Sequence, residues 1–179
     1  MADLEQALSR VDAGSWIESP TQQSRVSWLP LWLISSSGLW VGLDRHARWI
    51  VGRLSGQASE PSGKLSPSWL PLLDHDESVV EEELAYAGAK YNLPVDALVQ
   101  SLPMDDIIVL ALSGSNAHWI DRALTWLETR NISGETRTIL GSLASSRPAG
   151  QKARQRARRL RERGEGVPTK PGAGQSDGS

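Results

Sequence analysis

Three observations predict a mainly α protein, a short antiparallel helix stack behind an N-terminal helix and a β-hairpin. From residue 68 onward, apolar residues recur at i, i+3, i+4 and i+7 in segment after segment. Those segments are joined by connections of two to five residues, which favour antiparallel neighbours. The 179 residues, 39% apolar and 22% charged, have a globular composition and enough length for one core.

Taken in order, Ala2 to Val11 reads as a helix with Leu4, Ala7, Leu8 and Val11 on one face. Residues 13–25 are polar and loop-like. Leu39 to Leu43 and Arg48 to Leu54 are β-rich runs around the short polar link 44–47, the pattern of a hairpin. A helix over 39–54 is the competing reading. Residues 55–67 form a linker. Helices then follow over Ser78 to Tyr91, Asp96 to Leu102 (ended by Pro103), Met104 to Leu112 (stopped by Gly114), Asn116 to Arg130, Glu135 to Ser145 and Ala149 to Arg163. Gly164 to Ser179 is rich in Gly, Pro and Ser and reads as a disordered tail. The expected organisation is a Trp-rich N-terminal segment over 1–60, a helical domain over 61–163 and a tail over 164–179.

The cysteine count is zero, which removes disulfides, thiolate metal sites and thiol nucleophiles. Val26 to Leu43 is free of charge for 18 residues, close to the length of a spanning helix. Only 11 of the 18 are Val, Leu, Ile or Trp, and Ser35-Ser36-Ser37-Gly38 sits at the centre. Two buried elements around a turn fit better than a membrane span. The N-terminus is acidic and lacks a basic or apolar leader, so a cytoplasmic location is expected.

One hexapeptide recurs. Ser27-Trp28-Leu29-Pro30-Leu31-Trp32 returns 41 residues later as Ser68-Trp69-Leu70-Pro71-Leu72-Leu73, followed by Asp74-His75-Asp76-Glu77-Ser78-Val79. This stretch resembles a HEAT repeat, with Val79, Trp119 and Ala153 as matching inward positions of successive second helices. The resemblance covers residues 65–163 and is sharp only over 69–88; Val80 stands where the family usually has Arg. It implies an α-solenoid and a non-catalytic binding or scaffold role.

The net charge of −2 conceals a division along the chain. Residues 1–146 carry 10 basic and 18 acidic side chains; residues 147–179 carry nine basic and three acidic ones. Six carboxylates fall within ten residues: Asp74, Asp76, Glu77, Glu81, Glu82 and Glu83. They read either as a solvated helix start or as a face for a basic partner. Trp119 and Trp126, two helical turns apart, are candidate anchors for such a partner. Seven cations fall within twelve residues, Lys152, Arg154, Arg156, Arg158, Arg159, Arg161 and Arg163. They read either as a polar capping helix or as a phosphate-binding strip. The three histidines, His46, His75 and His118, lack metal-ligand spacing, and no nucleotide-binding or nucleophile motif is present. No catalytic residue, cofactor or metal site can be named. The expected function is therefore a non-catalytic protein-binding or scaffold module, of the kind that serves as a small regulator or toxin-neutralising partner. The alternative is sequence-independent nucleic-acid binding by the basic helix. No membrane partner is expected, and the oligomeric state stays open.

Overall fold

The computed structural model describes residues 2–35, 38–59, 65–146 and 150–163. Helix α1 (Ala2–Leu8) is followed by four strands: β1 (Ile17–Pro20), β2 (Arg25–Leu33), β3 (Trp40–Asp44) and β4 (Trp49–Gly52). A 3-10 segment, Pro67–Asp74, leads into six helices: α2 (Glu77–Tyr91), α3 (Val95–Ser101), α4 (Met104–Ser113), α5 (Ala117–Trp126), α6 (Gly134–Ser145) and α7 (Gln151–Arg163). The strands form one antiparallel sheet in the order β1-β2-β3-β4. The protein is thus mixed α/β, which corrects the mainly α expectation. The hairpin is present as β3–β4, but it belongs to a larger sheet whose first strand lies in the polar stretch read as loop.

The HEAT resemblance and the solenoid fail on the repeated hexapeptide itself. Its first copy is central strand β2, while its second is a 3-10 turn. Flanking residues explain the split. Val26 is β-branched and suits a strand, whereas Pro67 at the first helical position presets a helical φ. The supposed inward position Val79 is exposed, and Val80, Leu84 and Ala87 form the buried face of α2. The tail over 164–179 lies outside the described residues.

Pro30 has no amide hydrogen to give to the sheet, and the register of β2 against β3 shifts between Pro30 and Trp32, leaving Leu31 as the extra residue. Opposite Pro30 stands Gly42, where a Cβ would meet the Leu29 carbonyl oxygen at 2.1 Å. Trp28 fills the inner face of the sheet, fully buried, with its indole N–H donated to Ser19 Oγ at 3.0 Å. Ala58 then joins the sheet's two outer strands. Its amide donates to the Pro20 carbonyl of β1 at 2.9 Å, and it bridges Gly52 of β4. Both edges are thereby occupied at this point, and the sheet curls around Trp28.

The β3–β4 turn depends on Asp44. Its buried carboxylate accepts the amides of His46 and Arg48, both at 2.9 Å, and pairs with the Arg48 guanidinium at 2.6 Å. This holds Ala47 at a left-handed φ of 56°. Asp44→Ala should leave two turn amides without an acceptor and lower stability by about 2 kcal/mol, read from urea unfolding.

Sheet and helices share one core. Trp32, Ile34, Val41 and Val51 belong to the same apolar cluster as Leu72, Leu84, Ile107, Leu124, Leu140 and Leu160. His75 fastens the junction: its Nε2–H donates to the Ile34 carbonyl at 2.8 Å, and its ring meets Trp32 edge-on at 4.8 Å. Trp49 of β4 donates to Ser101 Oγ of α3 at 3.0 Å. Among the described residues, no helix is long and apolar enough to cross a membrane.

Candidate functional site

The acidic residues of α2 line a groove that the sequence does not announce. Asn92 ends α2 in the left-handed conformation, with φ 54°, and the chain turns back into α3. Pro103 then separates α3 from α4. The corner leaves a cavity of about 340 Å³ against α2, and Glu81, Val99 and Gln100 of its lining also line a second, more open one of about 490 Å³. The first has an apolar floor of Val80, Leu84, Leu102, Met104 and Trp126, all buried. Its rim carries Glu77 and Glu81 from α2, and Asp105 and Asp106 from α4. The second is edged by Glu81, Glu82 and Asp96.

Glu77, Asp96, Asp105 and Asp106 all lie in first turns of helices, where the helix dipole offsets their mutual repulsion. That physical account makes the accumulation of charge tolerable. It does not make the carboxylates a metal site, because no three His, Cys, Asp or Glu side chains among the described residues are grouped to hold an ion. Glu83, which follows Glu81 and Glu82 on α2, is half-buried and lines neither cavity.

Among the described residues, Arg130 is the one cation that lines the first cavity. Its Nη1 donates to Glu77 Oε1 at 2.5 Å, and its Nη2 lies 3.6 Å from Asp105 Oδ1. The guanidinium carbon is 5.8 Å from the centre of the Trp126 ring. Trp126 is buried, with its indole N–H donated to the Leu73 carbonyl at 3.3 Å, so it forms a wall of the groove and not a protruding anchor. Trp119 is half-buried, packed on the core and edge-on to His118 at 4.5 Å. His118 and Arg122 both pair with Asp74 and so engage part of the acidic cluster internally. At the far end of α2, Lys90 sits over the Tyr91 ring at 4.7 Å. Its pKa is raised, chiefly by a hydrogen bond with the Tyr91 phenol and further by the electrostatics of Tyr91 and Tyr86.

The basic helix is oriented quite differently from a phosphate-binding strip. Arg156 is only 9% exposed; its guanidinium pairs with Asp121 at 2.6 Å and Glu128 at 2.8 Å, and donates to Thr125 Oγ1 at 3.0 Å. Arg163 donates to the carbonyls of Leu127, Glu128 and Arg130, closing the C-terminal end of α5. Arg158 reaches the Ala144 carbonyl of α6 at 3.4 Å, and the Arg161 side chain lies alongside Gly141 of α6. Arg154, half-buried, also has an interaction partner. Lys152 and Arg159 face outward. Ala157 and Leu160 are buried between the flanking arginines, so α7 is fastened to α5 and α6 on both sides.

Sequence spacing located the acidic residues of α2 but missed Asp105, Asp106 and Arg130 as their companions. Asp105 and Asp106 are explained locally by the start of α4, and no periodicity links them to Glu77. The geometry defines a mixed α/β protein with an acid-rimmed, apolar-floored groove. Comparison with known proteins finds no matching family, no matching curated protein and no matching solved structure.

Proposed function

We propose that the protein is a non-catalytic protein-binding module that holds a cationic, amphipathic segment of a partner protein in the groove between α2 and the α3–α4 corner. The observation that carries this reading is the combination of an apolar floor with carboxylates on both walls. An apolar side chain of the partner would enter between Leu84, Leu102, Met104 and Trp126, and its Lys or Arg neighbours would meet Glu81, Glu82, Asp105 and Asp106. Burial of the apolar side chain supplies affinity, while the charges set orientation and encounter rate. Nucleic acid is less favoured as a partner, because Arg156 of α7 is buried in ion pairs with Asp121 and Glu128, Arg158 and Arg163 reach backbone carbonyls, and the groove is acidic.

Fluorescence anisotropy with a labelled synthetic peptide bearing Leu and Arg at helical spacing tests this reading. Saturable binding is expected, and Glu81→Lys with Glu82→Lys should weaken it about tenfold, with a steeper loss at low than at high salt. A Glu-for-Arg version of the peptide should not bind. Absence of binding by the Leu/Arg peptide would end the groove reading. Salt-sensitive binding of duplex DNA, lost on Lys152→Ala with Arg159→Ala, would favour the nucleic-acid alternative instead.

A further inference from the structure

We infer that Arg130 is the resident occupant of a guanidinium site at one end of the groove, and that an arginine of the partner displaces it. This inference rests on the protein-binding reading above and adds the identity of the recognised side chain and an internal competitor. The site is assembled from three elements. Glu77 opens α2, Asp105 opens α4, and the Trp126 ring of α5 supplies an aromatic face. A planar fork of N–H donors can span two carboxylates and lie against an aromatic ring; a lysine ammonium offers only a point charge.

The two carboxylates are not equally used. Glu77 is engaged through both oxygens, accepting Arg130 at Oε1 at 2.5 Å and the Thr129 hydroxyl at Oε2 at 3.2 Å. Asp105 is 67% exposed and reaches Arg130 only at 3.6 Å. An incoming guanidinium therefore meets Asp105 first, with Asp106 beside it in the same rim, and gains Glu77 and the Trp126 face as Arg130 swings out. Arg130 is free to do so without unravelling its segment. Its backbone carbonyl is held separately by Arg163 of α7 at 3.0 Å, so the displaced side chain leaves a fixed main chain behind.

The competition makes a clear experimental signature. With the full chain, the Leu/Arg peptide and a Leu/Lys peptide of equal charge are titrated against the parent protein, Arg130→Ala and Arg130→Lys. Arg130→Ala should bind the Leu/Arg peptide about three- to tenfold more tightly than the parent, and Arg130→Lys should show a smaller gain. The parent should prefer the Leu/Arg to the Leu/Lys peptide. If the parent binds but Arg130→Ala or, should that variant not fold, Arg130→Lys gives equal or weaker binding, the displacement is wrong and the groove reading survives. Equal affinity for the two peptides also overturns the guanidinium site alone. If neither the parent nor a folded Arg130 variant binds either peptide, the groove reading falls, and this inference with it.

Discussion

Trp28→Ala should destabilise the protein by about 4 kcal/mol, the largest effect expected of a single truncation in the sheet. The Trp28 ring is fully buried among Val26, Ile50 and Ala58. It occupies space that two glycines vacate. A Cβ on Gly42 would come within 2.9 Å of the ring, and one on Gly52 within 3.3 Å. Truncation removes the whole aromatic body from a site walled partly by sheet backbone at Gly42 and Gly52, so the cavity can collapse only in part. It also leaves Ser19, itself buried, without its indole donor. Trp28→Phe keeps most of the packing and should cost about half as much. Urea unfolding of the two variants checks both figures; a loss below about 1 kcal/mol for Trp28→Ala would mean the curled sheet is not built around this side chain.

Arg156→Ala should cost about 3 kcal/mol and lower the melting temperature by about 6–12 °C. Asp121 and Glu128 are each about half-exposed and would be rehydrated in part. The cost comes chiefly from losing a nearly buried guanidinium, its methylene stem against α5 and its bond to Thr125. The apolar line of α7 is narrow, Ala153, Ala157 and Leu160, so the helix relies on Arg156, with Arg158 and Arg163, for its hold on α5 and α6. Arg159→Ala removes an outward-facing cation of the same helix and should change stability by less than about 0.5 kcal/mol. Hydrogen exchange should show α7 opening ahead of the rest in Arg156→Ala and unchanged in Arg159→Ala. Equal effects of the two substitutions would contradict the fastening of α7 by its inward arginines.

The helices from α2 to α7 were legible within a few residues because their signals are local. Apolar spacing marks α5 and α6, Asn116 and Ser133 cap them through bonds to the amides of His118 and Thr136, and Pro103 and Gly114 bracket α4. The sheet was half legible. The turn at Asp44 advertised β3–β4, but β1 carries Glu18, Ser19 and Pro20 and offers no alternation of apolar residues. Its pairing with β2 is a tertiary fact. The repeated hexapeptide misled because the same residues serve as strand in one place and helical turn in the other, with Val26 and Pro67 deciding between them. Charge was read correctly as a quantity and less well as a direction. Of the seven cations on α7, five stay exposed, while Arg156 is buried against Asp121 and Glu128, and Arg158 and Arg163 also reach backbone carbonyls. The groove needed α2, α4 and the end of α5 to be brought together, which no spacing along the chain encodes.

The central claim is that the groove between α2 and the α3–α4 corner is where a cationic partner binds. NMR titration of the isotopically labelled protein with the Leu/Arg peptide tests it residue by residue. The account predicts saturable shifts at Glu77, Glu81, Gln100, Asp105 and Arg130 and at the Trp126 indole, with the amides of α7 beyond Arg154 unmoved. Shifts confined to α7, or none at saturating peptide, would contradict it.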